Sequence, residues 1–203
     1  MTPTTAPADR RTGVAAVAAG GLLFASVAAE LVRPVQQSDG TVLDRIGFAI
    51  YLGTWVVGAA ALVIALLGLG VARPLPRGGR IGRRICLAGT ALLLAFGIVA
   101  LVSGVAAGAP LEASFLLFAL GLLLLGIGAV PLALGLRRTG ALGGWWPAVL
   151  SVTAGVLVAL GASVDPWHDL GLFAVDASLV VVGLAVLGRA RRLDDVLVPS
   201  PAR

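Results

Sequence analysis

The chain has 203 residues, 59% hydrophobic and only 12% charged, with 28 glycines and a formal net charge of +5; its mean hydropathy is +1.03. A soluble globule is roughly half apolar and about a quarter charged, so charges this sparse do not clothe a water-facing surface and the bilayer is the expected solvent. The fifteen cations are all arginine and asparagine is absent, which excludes lysine Schiff-base and phosphate-loop lysine chemistry and N-glycosylation.

A helix needs about 20 mostly apolar residues to cross the hydrocarbon, and six stretches meet that requirement. The first, 12–32, follows a tail (1–11) carrying Arg10 and Arg11. A cleaved signal peptide ending at Ser26-Val27-Ala28 is its rival reading, but the apolar run continues to Val32 and is long enough to span. Gly21, Ala25 and Ala29 recur at every fourth position here, a spacing that lets helix backbones approach closely, within the chain or between copies. Glu30, near the outer end, is placed to pair with Arg33.

The second span is 46–72. The connection after it, residues 73–84, carries Arg73, Arg77, Arg80, Arg83 and Arg84 among turn-forming Pro and Gly. It reads as a cytoplasmic loop that fixes topology and attracts anionic lipid headgroups, worth about 1 kcal/mol per arginine. The third span, 85–107, opens with the lone Cys86, expected to be a reduced, structural thiol. Ala100, Gly104 and Gly108 repeat the four-residue small spacing toward its outer end. The fourth, 113–136, contains Pro131, where a kink is expected. The fifth, 145–162, begins with Trp145 and Trp146 as interfacial anchors, and Trp167 marks the opposite interface. The sixth, 169–188, opens on Asp165-Pro166-Trp167-His168-Asp169, which reads as an Asp N-cap followed by proline at the first helical position. A tail, 189–203, closes the chain.

Backbone groups find no water in lipid, so these spans are helices. The fold class is all-α: one polytopic integral membrane domain, a six-transmembrane-helix bundle with short loops. Thirteen of the fifteen arginines fall on one side, with only Arg33 and Arg45 opposite. By the positive-inside rule both termini are cytoplasmic and the protein is multi-pass in a cell membrane. The bias toward Ala, Gly, Leu, Val and Arg fits a GC-rich bacterial genome.

The remaining acids lie mostly on the outer side, and Asp176 is set apart from them by depth. It lies seven residues beyond Asp169, about 10 Å deeper at 1.5 Å per residue and on the same helical face. An acid there is functional or paired by default. The structural reading is a neutral Asp176 hydrogen-bonded to Ser178 or to a neighbouring helix. The functional reading joins Asp176, Asp169, His168 and Glu30 in an outward polar cluster. One histidine does not make a metal site, and no nucleophile triad, zinc signature or nucleotide motif accompanies the acids, so no catalytic residue, metal or cofactor is assigned. The spread of charge over short loops does not suit nucleic acid. The first expectation is a non-catalytic membrane protein or partner subunit, which includes homo-oligomers. The alternatives are a transporter with an outward acidic vestibule and an intramembrane enzyme acting on a lipid or isoprenoid.

Overall fold

The computed structural model describes residues 5–32, 35, 41–72, 74–140, 142, 149–154, 156 and 167–197. Side chains are described for 9–30, 35, 41–69, 74–140, 142, 149–154, 156, 174–188 and 190. The chain is all-helical: α1 Thr5–Val32, α2 Arg45–Ala72, α3 Arg77–Ala107, α4 Ser114–Arg138 and α5 Trp167–Leu197. Residues 149–154 are also helical; the rest of the expected 145–162 span, with Trp145 and Trp146, lies outside the described residues. Four helices are long and apolar enough to cross a membrane, through Asp9–Glu30, Arg45–Leu69, Arg77–Ala107 and Ser114–Arg138, and α5 contributes a shorter apolar stretch, Ala174–Gly188. They form a helical bundle of the membrane type.

Each helix extends past the span expected for it at one end or both. Two departures stand out: α5 runs on to Leu197, past the expected end at 188, and α3 starts at Arg77 and not at residue 85. Most of the expected 73–84 loop is therefore helix, and its glycines are not turn residues. Pro76 stands just outside the helix at φ −59° and ψ 161°, the extended geometry from which a helix is entered. Glycine is a poor helix former, but here packing outweighs propensity. A methyl on Gly82 would meet the Leu132 nitrogen at 2.5 Å, and one on Gly79 would meet Gly135 Cα at 3.1 Å. The first two turns of α3 are thus held against α4 by backbone-to-backbone contact.

The packed pairs are α1 with α2, α2 with α3, α3 with α4, and α1 with α5. All are antiparallel, because the contacts pair rising with falling residue numbers: Gly82 meets Gly128 and Leu132, and Gly89 meets Gly121 and Leu125. Gly13 likewise meets Gly183 and Leu187, and Gly20 meets Asp176 and Val180. This alternation brings Arg10 and Arg11, the start of α3 and the Arg137-Arg138 end of α4 to one end of the bundle. That end is called the arginine-rich end below.

The small-residue stripes behave differently from one another. Gly21, Ala25 and Ala29 are exposed, and a methyl on Gly21 would meet nothing within 4 Å, so this stripe does not pack within the chain. Ala100 and Gly104 do pack, Gly104 receiving the Phe48 ring. Gly108 serves another purpose: at φ 78° it is the left-handed C-cap of α3, its N–H donating to Gly104 O at 3.0 Å, a conformation that glycine takes without steric cost. Pro131 sits inside α4, which continues through it to Arg138.

The interior is divided along its length. Toward the end opposite the arginines, Trp55, Phe96, Phe115 and Phe118 interlock. Trp55 meets Phe96 edge-on at 5.7 Å, and Phe96 lies 4.9 Å from Phe118. Gly97 receives the Trp55 ring. Toward the arginine-rich end the helices enclose a cavity of about 80 Å³.

Candidate functional site

The depth of Asp176 is set by the register of α5 on α1. A methyl on Gly20 would come within 2.6 Å of the Asp176 carbonyl oxygen and 2.8 Å of Val180 Cγ2. Gly20 falls at the middle of the apolar segment Asp9–Glu30, so Asp176 sits about 15 Å from either end of that segment. The side chain is 3% exposed, and its Oδ2 is buried without a hydrogen-bond partner. The expected bond to Ser178 does not form. Ser178 Oγ donates instead to Val175 O of its own helix at 2.8 Å, a local bond that hydroxyls in helices commonly make.

The other cluster candidates do not join Asp176 there. Glu30 lies ten residues beyond Gly20 on α1, about 15 Å along the axis, and its Oε2 accepts a hydrogen bond from Val35 N at 3.4 Å. Arg33, its expected partner, lies outside the described residues. His168 and Asp169 belong to the first turn of α5, but their side chains lie outside the described set, as do Asp165 and Pro166. Asp44, another outer acid, caps α2: its Oδ1 accepts from Ile46 N and Gly47 N, each at 3.0 Å. Glu112 is exposed. Among the described residues no three of His, Cys, Asp and Glu come together.

The cavity runs from Val175 and Ser178, beside Asp176, toward the arginine-rich end. Its lining includes Ala16, Leu66, Cys86, Leu132, Ser151 and Val182, drawn from α1 to α5 and from the 149–154 segment, and it is almost wholly apolar. Cys86 is free and buried, with Sγ donating a weak bond to Leu125 O at 3.7 Å.

The arginine-rich end is a basic rim. Arg77, Arg80 and Arg84 are exposed, and their spacing of three and four places them on one face of α3. Arg137 and Arg138 are exposed at the end of α4. Arg83 turns inward, its Nη1 donating to Leu67 O on α2 at 3.4 Å, while its Nε is buried without a partner. Chemically, the arrangement offers a phosphate-compatible rim, an apolar cavity and, in Asp176, a carboxyl buried at mid-depth.

Two features escaped the sequence reading. The aromatic cluster was hidden because a Trp or Phe inside an apolar run looks like its neighbours. The glycine seams had a readable signal, since Gly13 and Gly20, Gly82 and Gly89, Gly97 and Gly104, and Gly121, Gly128 and Gly135 all stand seven apart. That is the period at which one helix keeps a single face toward a partner. Comparison with protein-family models, with curated proteins and with solved structures finds no match to this chain.

Proposed function

We propose that this is a non-catalytic multi-pass protein of a bacterial cell membrane, with both termini cytoplasmic, acting as a structural or partner subunit. The observation that carries this reading is the separation of Glu30 from Asp176 by about 15 Å, with an apolar cavity that runs from mid-depth toward the arginine-rich end. Polar groups spaced in this way do not outline a path for a solute, and no carboxyl pair stands ready for acid–base chemistry among the described residues. The placement of the arginine-rich end in the cytoplasm rests on the positive-inside rule. Arg77, Arg80 and Arg84 then face the headgroups of the inner leaflet, where anionic lipid is the favoured neighbour.

Reconstitution tests the reading. Liposomes containing the protein and a trapped pH-sensitive dye, polarised with potassium and valinomycin, are expected to admit protons no faster than protein-free liposomes. Flux that is present in the native protein and abolished in Asp176→Asn would replace this reading with the transporter one.

A further inference from the structure

We propose that Asp176 is a proton-binding site, a single carboxyl that takes up and releases one proton at mid-depth in the α1–α5 joint. The step is the simplest one available, with one Oδ lone pair forming an O–H bond and the negative charge disappearing. This goes beyond the structural role above, since a site of this kind binds without needing a path across the membrane.

The surroundings select the ligand. An ionised carboxylate buried in a low-dielectric interior is costly unless something neutralises it. Among the described residues no cation is placed to do so. The charged groups of α1, the helix packed on α5, are Asp9, Arg10, Arg11 and Glu30; the nearest, Arg11 and Glu30, lie nine and ten residues from Gly20, about 14 to 15 Å away along the axis. On α5 itself the charged and titratable groups are His168 and Asp169 at one end and Arg189, Arg191, Arg192, Asp194 and Asp195 at the other. The closest, Asp169, is seven residues away, about 10 Å. Across the cavity that Val175 and Ser178 line, the titratable group is Cys86, whose Sγ is directed at Leu125 O.

A metal cation is also poorly served. Hard cations need several oxygen ligands, whereas Ala16, Ala19 and Leu23, the buried α1 residues near Gly20, offer no side-chain oxygen. A proton needs one lone pair, and the unpartnered Oδ2 supplies it. The missing side chain at Gly20 brings the two backbones together at Asp176, whose side chain is buried.

Infrared spectroscopy of the full chain in lipid nanodiscs reads the site directly, because an un-ionised carboxyl shows a carbonyl stretch clear of the amide bands. The expected result is such a band at neutral pH that shifts in heavy water, is lost in Asp176→Asn, and fades reversibly as the pH is raised. Native protein carrying carboxyl-13C aspartate is expected to show the same band moved to lower frequency, which assigns it to aspartate even if the Asn variant does not fold. Absence of an aspartate band at every pH would overturn the proposal. So would a band indifferent to pH from acid to strong alkali, since that describes a fixed neutral acid and not a binding site. A positive result leaves the flux experiment above to be decided on its own terms.

Discussion

Asp44 shows how an acid at the membrane edge is used when it has no chemistry to perform. Its Oδ1 accepts two backbone N–H groups at the start of α2, groups that otherwise have no helical partner. Asp44→Ala is expected to cost about 1 kcal/mol of stability and Asp44→Ser much less, read from denaturant unfolding in mild detergent. The capping rule is legible in sequence, yet Asp44 stood among several outer acids, and only the true start of α2 identifies which of them is the cap. Cys86 is the opposite case. Its expected inertness follows from composition and position alone, and burial against Leu125 gives the physical reason. The burial of Asp176 was equally readable from depth in an apolar run. That its Oδ2 has no hydrogen-bond partner was not, because that depends on which face of α5 meets α1.

For whole helices, the lipid dictates that the apolar runs are helical, and so they were readable in order. Their ends were not readable, because a helix does not stop where the hydrocarbon does. Arg77, Arg80 and Arg84 interrupt the apolar pattern but favour helix, and Gly79 and Gly82 are carried along by packing on α4. The seams give a sharp contrast of outcomes. Gly82→Val and Gly89→Val each drive a side chain into α4 backbone, at 2.5 Å and 2.7 Å for the first atom alone. Backbone cannot yield cheaply, so each is expected to destabilise by several kcal/mol or to prevent folding. A Cβ at Gly21 or Gly53 would meet nothing within 4 Å, so Gly21→Val and Gly53→Val are expected to leave the unfolding free energy within a few tenths of a kcal/mol of the native value, beyond the small change in helix propensity. Equal effects at the two kinds of site would contradict the antiparallel α3–α4 seam.

At the level of the whole molecule, the arginines sort the two ends. Because Cys86 is the only cysteine, Cys86→Ala supplies a background into which single reporters are placed. In sealed right-side-out vesicles a membrane-impermeant maleimide is expected to label cysteine introduced at Glu112 but not at Arg84, and the pattern is expected to invert in inside-out vesicles. Labelling of both positions from one side would break the alternation of spans on which the orientation rests. The interior is likewise two-ended, since interlocked rings fill one half while a cavity occupies the other. Composition held no hint of that division, because aliphatic side chains that fill space and those that border a void are the same residues.

Among the described helices, α1 with α2, α2 with α3 and α3 with α4 join chain neighbours, whereas α1 with α5 joins the two ends of the chain. During synthesis α1 therefore enters the bilayer with Gly13 and Gly20 uncovered, and more than a hundred residues follow before Gly183 and Asp176 are made. Such late, non-local closure is the slow step expected of a topology of this kind. Lipid, or a membrane partner present at that moment, fills the seam in the meantime and has to be displaced. Of the described helices, the last to be made thus covers the first, and without α5 three of their four pairings would remain while the α1 face that holds Gly13 and Gly20 stayed open.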